Sequence, residues 1–216
     1  MSTPTSNPEP IADAGPLGLG AFALTTFVLS VFNADLITDK KLAAVVLPLA
    51  LFYGGLAQLL AGMWEFRKGN TFAATAFASF GSFWLAYAAY AKFVAGTLPV
   101  ATAHQATGLF LLAWAVFTVY MTIAATRTTG AVLAVFVTLS ATFIVLCIGE
   151  FAQSPNTTKA GGWLGLVTAA CAWYASFAGV TNSTYQRPVV PVFPNIGAHL
   201  MPHRTHRGGP FAGAHT

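Results

Sequence analysis

Long apolar runs alternate with short polar corners along most of the chain. The runs cover residues 17–36, 42–64, 72–93, 106–125, 131–151 and 162–181. Each is close to the roughly 20 residues that cross a hydrocarbon core as an α-helix. Apolar character unbroken over that length excludes membrane strands, in which polarity alternates over segments of about 10 residues. The corners, 38–41, 65–71, 94–105, 126–130 and 152–161, are short and force neighbouring helices to run antiparallel. The pattern therefore predicts an all-α integral membrane protein with six transmembrane helices in one bundle.

Outside the runs the character changes twice. Residues 1–14 are rich in Pro, Ser and Thr and read as a flexible leader; Pro16 then suits the first turn of a helix. The polar start has Glu9 and Asp13 and no basic n-region, which argues against a cleavable signal peptide. Residues 15–185 read as one six-helix transmembrane domain, and 186–216 read as a Pro-, His- and Arg-rich disordered tail on the cytoplasmic side. His203 and His206 lie in that tail, where helical spacing does not apply, so no metal site is expected.

Composition sharpens this picture. Hydrophobic residues make up 56% of the chain and charged residues only 7%, against about 25% charged in soluble domains. The net charge of +4 comes from cations scattered over corners and tail, which suits topology control rather than nucleic-acid binding. With the N-terminus inside, Arg67, Lys68, Arg127, Arg187, Arg204 and Arg207 face the cytoplasm, and Lys40, Lys41, Lys92 and Lys159 face outward. Both termini are then cytoplasmic in a plasma-membrane protein. Cys147 and Cys171 lie inside apolar runs and read as small hydrophobes.

No Asp, Glu, Lys, Arg or His falls at the middle of a run; Asp35, Glu65, Lys92 and Glu150 sit near helix ends. That weighs against a proton pump or an intramembrane hydrolase, both of which need titratable groups at depth. No catalytic constellation and no cofactor site appear. Neutral polar groups are frequent instead. Thr71, Thr75, Ser79 and Ser82 fall on one stripe of the third helix, and Thr118/Thr122 and Thr138/Thr142 repeat the spacing on the fourth and fifth. Thr25, Thr26 and Asn33 mark the first run and Gln58 the second. Two readings stand for these stripes: hydroxyls bonding back to their own helices or gluing helices together, or a hydrated path for a small polar solute. Gly161/Gly165 and Gly54/Gln58/Gly62 supply small-residue spacing that fits packing within one chain or between subunits.

The corner "WEFRKGNTF" has a structural reading of its own. Gly69 suits a left-handed position after a helix, Asn70 or Thr71 the N-cap of the next, and Arg67 and Lys68 the C-terminal dipole. Glu65 and Gly69 are thus helix-corner residues.

"AGPLGLGAFALTTFVLSVFNA" (14–34) and "GLAQLLAGMWEFRKGNTFAATAFASFGSFW" (55–84) resemble the two signatures of the acetate uptake transporter family, which includes bacterial succinate-acetate permeases and fungal acetate transporters. "FIVLCIGEF" (143–151) is similar to the family as well. The resemblance implies a six-helix protomer like the proton-gated urea channels, assembled as a homo-hexamer with one path per protomer. It implies substrates such as acetate and other monocarboxylates, with succinate in some members.

The family's narrow point is a ring of Phe, Tyr and Leu. By motif position these fall on Phe22, Phe80 and Leu139, so the tyrosine position carries Phe here and the ring loses a phenol. The opening Asn-Pro of the family motif reads Ala14-Gly15. A channel or proton-linked permease for short carboxylates is the leading expectation. Phe22, Phe80 and Leu139 are its constriction, and Asn70, Thr71, Thr75, Ser79, Gln58 and Thr25 its substrate path. A channel for a neutral solute such as urea, a short amide or ammonia, and a non-transporting membrane scaffold or sensor, are the alternatives.

Overall fold

The computed structural model describes residues 11–193, and six helices in it are long and apolar enough to cross a membrane. These are α1 (Gly15–Asn33), α2 (Lys40–Arg67), α3 (Thr71–Thr97), α4 (Ala103–Ala125), α5 (Gly130–Phe151) and α6 (Pro155–Tyr185). No strand occurs among the described residues, so the all-α, six-span expectation holds. Residues 1–10 and 194–216, His203 and His206 among them, lie outside the described residues.

The six helices close a ring in chain order. α1 packs along α6, α6 along α5, α5 along α4, and α1 and α3 both pack on α2. The seam between α3 and α4 has few close backbone approaches and is bridged by side chains instead. The Tyr90 ring stacks on Phe110 at 5.8 Å and 7°, and its hydroxyl lies 2.7 Å from Thr107 Oγ1.

Small residues set the tight joints, because lipid supplies no hydrophobic force between helices and close backbone contact must substitute. A Cβ on Gly162 would fall on the backbone of Asn33 and Ala34, and one on Gly161 would fall on Leu146. Gly165 meets Ser30 in the same way, and Gly62 meets the backbone of Ala78. The glycine spacing of α6 and α2 therefore serves contacts inside this chain. Hydroxyls add glue: Thr122 Oγ1 reaches Ser140 Oγ at 2.8 Å between α4 and α5, and Thr142 Oγ1 reaches Thr168 Oγ1 at 3.1 Å between α5 and α6.

Three helix starts differ from the apolar pattern. α6 begins at Pro155, where residues 152–161 were expected to link helices, because the Ser154 hydroxyl accepts from Thr157 N–H and Pro155 occupies the first turn. α4 begins at Ala103, which moves His104 from the expected loop into a helical turn. α2 begins with a 3-10 turn at Lys40, capped by the Asp39 carboxylate on Lys41 N–H at 2.9 Å. α2 also contains a π-helical turn, Phe52–Ala57, directly before Gln58.

The start of the expected tail is held in place. Asn182 Oδ1 accepts from Val189 and Val190 N–H, and Tyr174 donates to Pro191 O at 2.6 Å. Phe193 O and Val192 O accept from the first N–H groups of α5, Gly130 at 2.7 Å and Ala131 at 3.2 Å. Those donors have no partner within their own helix. Residues 187–193 are thus a strap across the α5 N-terminus. Cys147 and Cys171 are free thiols.

Candidate permeation path

Three chambers and a narrow throat follow one another through the ring. The first, about 620 Å³, opens between Asp35, Lys40, His104, Gln153 and Lys159. It shares Leu29, Asn33, Tyr87, Glu150 and Thr158 with a second chamber of about 330 Å³. Phe22 and Leu139 join that chamber to a throat of only about 20 Å³. Leu19, Ala76, Phe77 and Phe136 join the throat to a third chamber of about 520 Å³, which opens between Asp13, Asn70, Arg127 and Val192.

The throat is lined by Leu19, Phe22, Gln58, Ala76, Phe77, Phe80, Val135, Phe136 and Leu139. A void that holds one water needs about 10–15 Å³, so this one admits a water-sized molecule and no more. Phe80 sits at the centre of an aromatic cluster. Its ring lies 5.8 Å from Phe22, 5.3 Å edge-on from Phe117, and 6.1 Å from both Trp114 and Phe136. Rings from α1, α3, α4 and α5 thus converge on one point, which fixes the constriction between rigid helices rather than loops.

The structure brings Phe22, Phe80 and Leu139 together at this throat and adds Gln58, which is 1% exposed. Asn70 lines the third chamber, where its side chain caps α3 by accepting from Ala73 N–H at 3.2 Å. Thr25, Thr71, Thr75 and Ser79 line none of the four spaces. The four spaces thus give these hydroxyls no lining role.

α3 turns Phe72, Ala76, Phe80, Phe83 and Tyr87 toward the chambers. At 3.6 residues per turn, that puts the hydroxyl stripe on another face. Ser82 is exposed and bonds back to Ala78 O at 2.8 Å. Thr25 is buried, bonds back to Ala21 O at 3.0 Å and fills the space left by Gly54.

Three polar groups that do line the path carry no partner. Among buried side-chain atoms of the described residues, Thr26 Oγ1, Gln58 Oε1 and Trp84 Nε1 make no hydrogen bond. Thr26 and Trp84 face the second chamber and Gln58 the throat. Trp84 was missed in the sequence, although a donor-only indole inside an apolar run calls for a partner. Phe136 was missed because nothing distinguishes it from other aromatic residues of its run.

The corner between α2 and α3 is built differently. Glu65 was expected within reach of water, yet it is fully buried. Its Oε1 accepts from Ala14 N–H at 3.2 Å and Lys68 Nζ at 3.1 Å, and its Oε2 from Asn70 Nδ2 at 2.8 Å. Lys68 also bonds Asp13 at 2.7 Å. Burial would push the Asp13 carboxyl up, but the Lys68 ammonium and Gly15 N–H outweigh it and hold the group below its usual value. Gly69, at φ 77°, makes the left-handed turn that closes the corner. Glu65 and Gly69 thus tie the end of the leader to two helices.

Comparison with known proteins agrees with this architecture. Residues 2–195 match the model of the GPR1/FUN34/yaaH family. The chain belongs to that family. Acetate permease A of Emericella nidulans is 40% identical over 198 residues, 84% of this chain and 65% of that protein. Ammonia transport outward protein 2 of Saccharomyces cerevisiae is 41% identical over 195 residues, 87% of this chain and 68% of that protein. A solved structure, that of the bacterial acetate channel SatP, superposes with a TM-score of 0.78 at 36% identity and covers 85% of this chain and 99% of its own.

As a GPR1/FUN34/yaaH member, the protein is a multi-pass membrane protein of a transporter and channel family, and the chemistry its path permits is binding and passage. Its first mouth is a charged frame. Asp35, at φ 60°, bonds Lys40 and Lys159 at 2.8 Å each and so ties the end of α1 to the starts of α2 and α6. Lys159 and then Lys40 hold the Asp35 carboxyl down to about 2. From there inward, the second chamber and throat are lined by no Lys, Arg or His. A solute leaves the charged frame for a largely apolar passage in which Glu150, shared with the mouth, is the one acidic lining residue and the other polar groups are neutral.

Proposed function

We propose that this chain is a plasma-membrane channel or proton-linked permease for acetate and similar short carboxylates, moved as the neutral acid or together with a proton. The observation that carries the reading is the chain of chambers meeting at an apolar throat of about 20 Å³ between Phe22, Phe80 and Leu139. A bare carboxylate crossing it would lose its hydration with no cation in reach, a cost far above that of the neutral acid. Phe22, Phe80 and Leu139 are the gate, Gln58 and Asn70 the polar groups met on either side, and passage requires the rings to swing apart. A homo-hexamer of independently conducting protomers with both termini cytoplasmic completes the reading. The apolar outer faces of the helices, Leu109, Val116 and Ile123 of α4 among them, are exposed and suited to lipid or to subunit contacts.

The test is uptake of labelled acetate into liposomes holding the purified protein, across a pH series and with the membrane potential clamped. Electrically silent uptake that grows as pH falls supports the reading; no uptake at any pH overturns it. One observation favours a second solute, ammonia: the resting throat fits a molecule the size of water without opening. Stopped-flow ammonia entry into the same liposomes that rises together with acetate flux in Leu139→Ala would assign both solutes to one path.

A further inference from the structure

We infer that the second chamber contains a subsite for a protonated short carboxylic acid, formed by the Trp84 indole N–H and the Thr26 hydroxyl. The inference rests on the transport reading above and names where the substrate pauses.

Unpartnered buried polar groups are rare in folded proteins, and each costs about 1–3 kcal/mol when nothing replaces its bond to water. Among the described residues, all three that carry such side-chain atoms line the path, and two of them share one chamber. Thr26 is the more telling because its neighbours show the alternative. Thr25, Thr118, Thr138, Thr142 and Thr168 each donate to the carbonyl four residues earlier at 2.7–3.0 Å. Thr26, in the same kind of helix, does not, and its Oγ1 is left for something in the chamber. Trp84 is 2% exposed and its ring is fixed edge-on against Phe83 at 5.0 Å and Tyr87 at 5.8 Å. Its N–H is a donor without a partner on a residue that lines the chamber.

The donor set and the charge of its surroundings together select the ligand. An indole can only donate, whereas a hydroxyl donates or accepts. A carboxylic acid matches this pair: its carbonyl accepts from Trp84 Nε1–H and its O–H donates to Thr26 Oγ1. A carboxylate could accept from both groups, but it would carry a full charge into a chamber lined by no Lys, Arg or His. Of the titratable residues lining the chamber, Tyr87 and Tyr90 are phenols and Glu150 is acidic. Lys40 and Lys159 line the neighbouring mouth with Asp35 and His104. The chamber therefore holds the neutral acid and turns the anion away, while Phe83, Phe110 and Phe143 receive the alkyl end. Gln58 Oε1 in the throat is the next acceptor for the acid proton as the molecule moves on.

The experiment uses the full-length protein in liposomes, with Trp84→Phe and Thr26→Val, which keep shape and remove one hydrogen-bonding group each. The expected result is a rise of about fivefold in KM for acetate for each variant at acid pH, the worth of one hydrogen bond. Maximal acetate flux and ammonia entry should stay within twofold. The second measurement needs no variant transport: with indole nitrogen-15 labelling, the Trp84 N–H resonance of the wild type, assigned by its absence in Trp84→Phe, should shift on adding acetate. At fixed total acetate the shift should grow as pH falls, also in Glu150→Gln, because the proton belongs to the substrate. An unmoved resonance, an unchanged KM in both variants, or a pH profile abolished by Glu150→Gln overturns the subsite while leaving wild-type acetate uptake intact. Absence of wild-type uptake overturns the transport reading itself.

Discussion

Glu65 and Gln58 lie two turns apart on α2, both enclosed by protein, and their surroundings treat them in opposite ways. Glu65 is 0% exposed and both its oxygens are bonded, to the leader, to Lys68 and to Asn70. Gln58 is 1% exposed and its carbonyl oxygen faces the throat with no partner. Between them stands Gly62, which lets α3 approach closely enough to fix both positions. A buried polar group whose bonds are complete holds structure together. One left incomplete beside a cavity is available to a solute. Burial alone does not separate the two, whereas the hydrogen-bond inventory does.

The largest expected effect breaks this contrast at the satisfied end. Glu65→Ala leaves Asn70 Nδ2 and Ala14 N–H without their acceptor and Lys68 with Asp13 alone, and loss of the buried member of this charged cluster costs about 3 kcal/mol, the low end for a broken buried pair. The variant should yield little monodisperse protein, and its thermal unfolding midpoint in detergent should fall sharply. Gln58→Leu should do neither. It removes an unpaired group and keeps the volume, so stability should stay within about 1 kcal/mol of the wild type while acetate transport slows. If the two variants were equally destabilised, the contrast would be sunk.

Next in size is the throat itself. Leu139 is 4% exposed and lines both the throat and the second chamber. Leu139→Ala removes side-chain bulk at the narrowest point, at a stability cost near the low end of the usual range, about 2 kcal/mol, because a chamber already lies beside it. Acetate flux should rise about tenfold, equivalent to a barrier lower by about 1.4 kcal/mol, with larger acids gaining most. Thr75→Ala and Ser79→Ala, on the face of α3 turned away from the path, should leave flux unchanged. Tracer uptake of acetate, propionate and butyrate separates the three variants.

The difference between α3's two stripes also marks how far the sequence could be read. The six helices were legible because apolar runs of spanning length have no other stable form in lipid. The corner was legible too, since Gly69 and Asn70 carry local backbone preferences. The path was not, because periodicity identifies a stripe but not the neighbour it faces. Thr71, Thr75 and Ser79 and the run Phe72, Ala76, Phe80, Phe83 share one spacing, and only closure of the ring decides which faces inward. The bland reading of the hydroxyls, back-bonding and glue, accounts for Thr118, Thr122, Thr138 and Thr142. The start of α6 was lost because its first turns are polar, although Ser154-Pro155 is a recognisable helix start.

A smaller effect is expected at Phe80, which is 3% exposed among four rings. Phe80→Tyr adds a phenol to a throat whose one polar group, Gln58 Oε1, is an unpaired acceptor. A bond between them would convert an available group into a satisfied one and tighten the closed gate. Acetate flux should then fall about two- to fivefold, the worth of one net hydrogen bond, with stability unchanged or slightly higher. Combining Phe80→Tyr with Gln58→Leu removes the acceptor, and the flux of the double variant should match that of Gln58→Leu alone. A further drop in the double variant would show that the phenol acts by bulk.

The smallest effect concerns pH and the charged mouth. Asp35, half-buried between Lys159 and Lys40, has its carboxyl lowered from 3.8 to about 2. A depressed carboxyl contributes stability that is fully present above its unfolded value and is lost as pH falls through the folded one. The difference in melting temperature between wild type and Asp35→Asn should therefore be constant above about pH 4, shrink below it, and vanish toward pH 2. Screening makes the difference modest, and added salt should reduce it further. The same titration has a functional consequence. Between pH 5 and 7 Asp35 stays ionised and its frame unchanged, so acid stimulation of acetate uptake must have another source. Asp35→Asn should accordingly keep the wild-type pH profile of flux, and a flattened profile would place the proton sensor at the mouth instead of on the substrate.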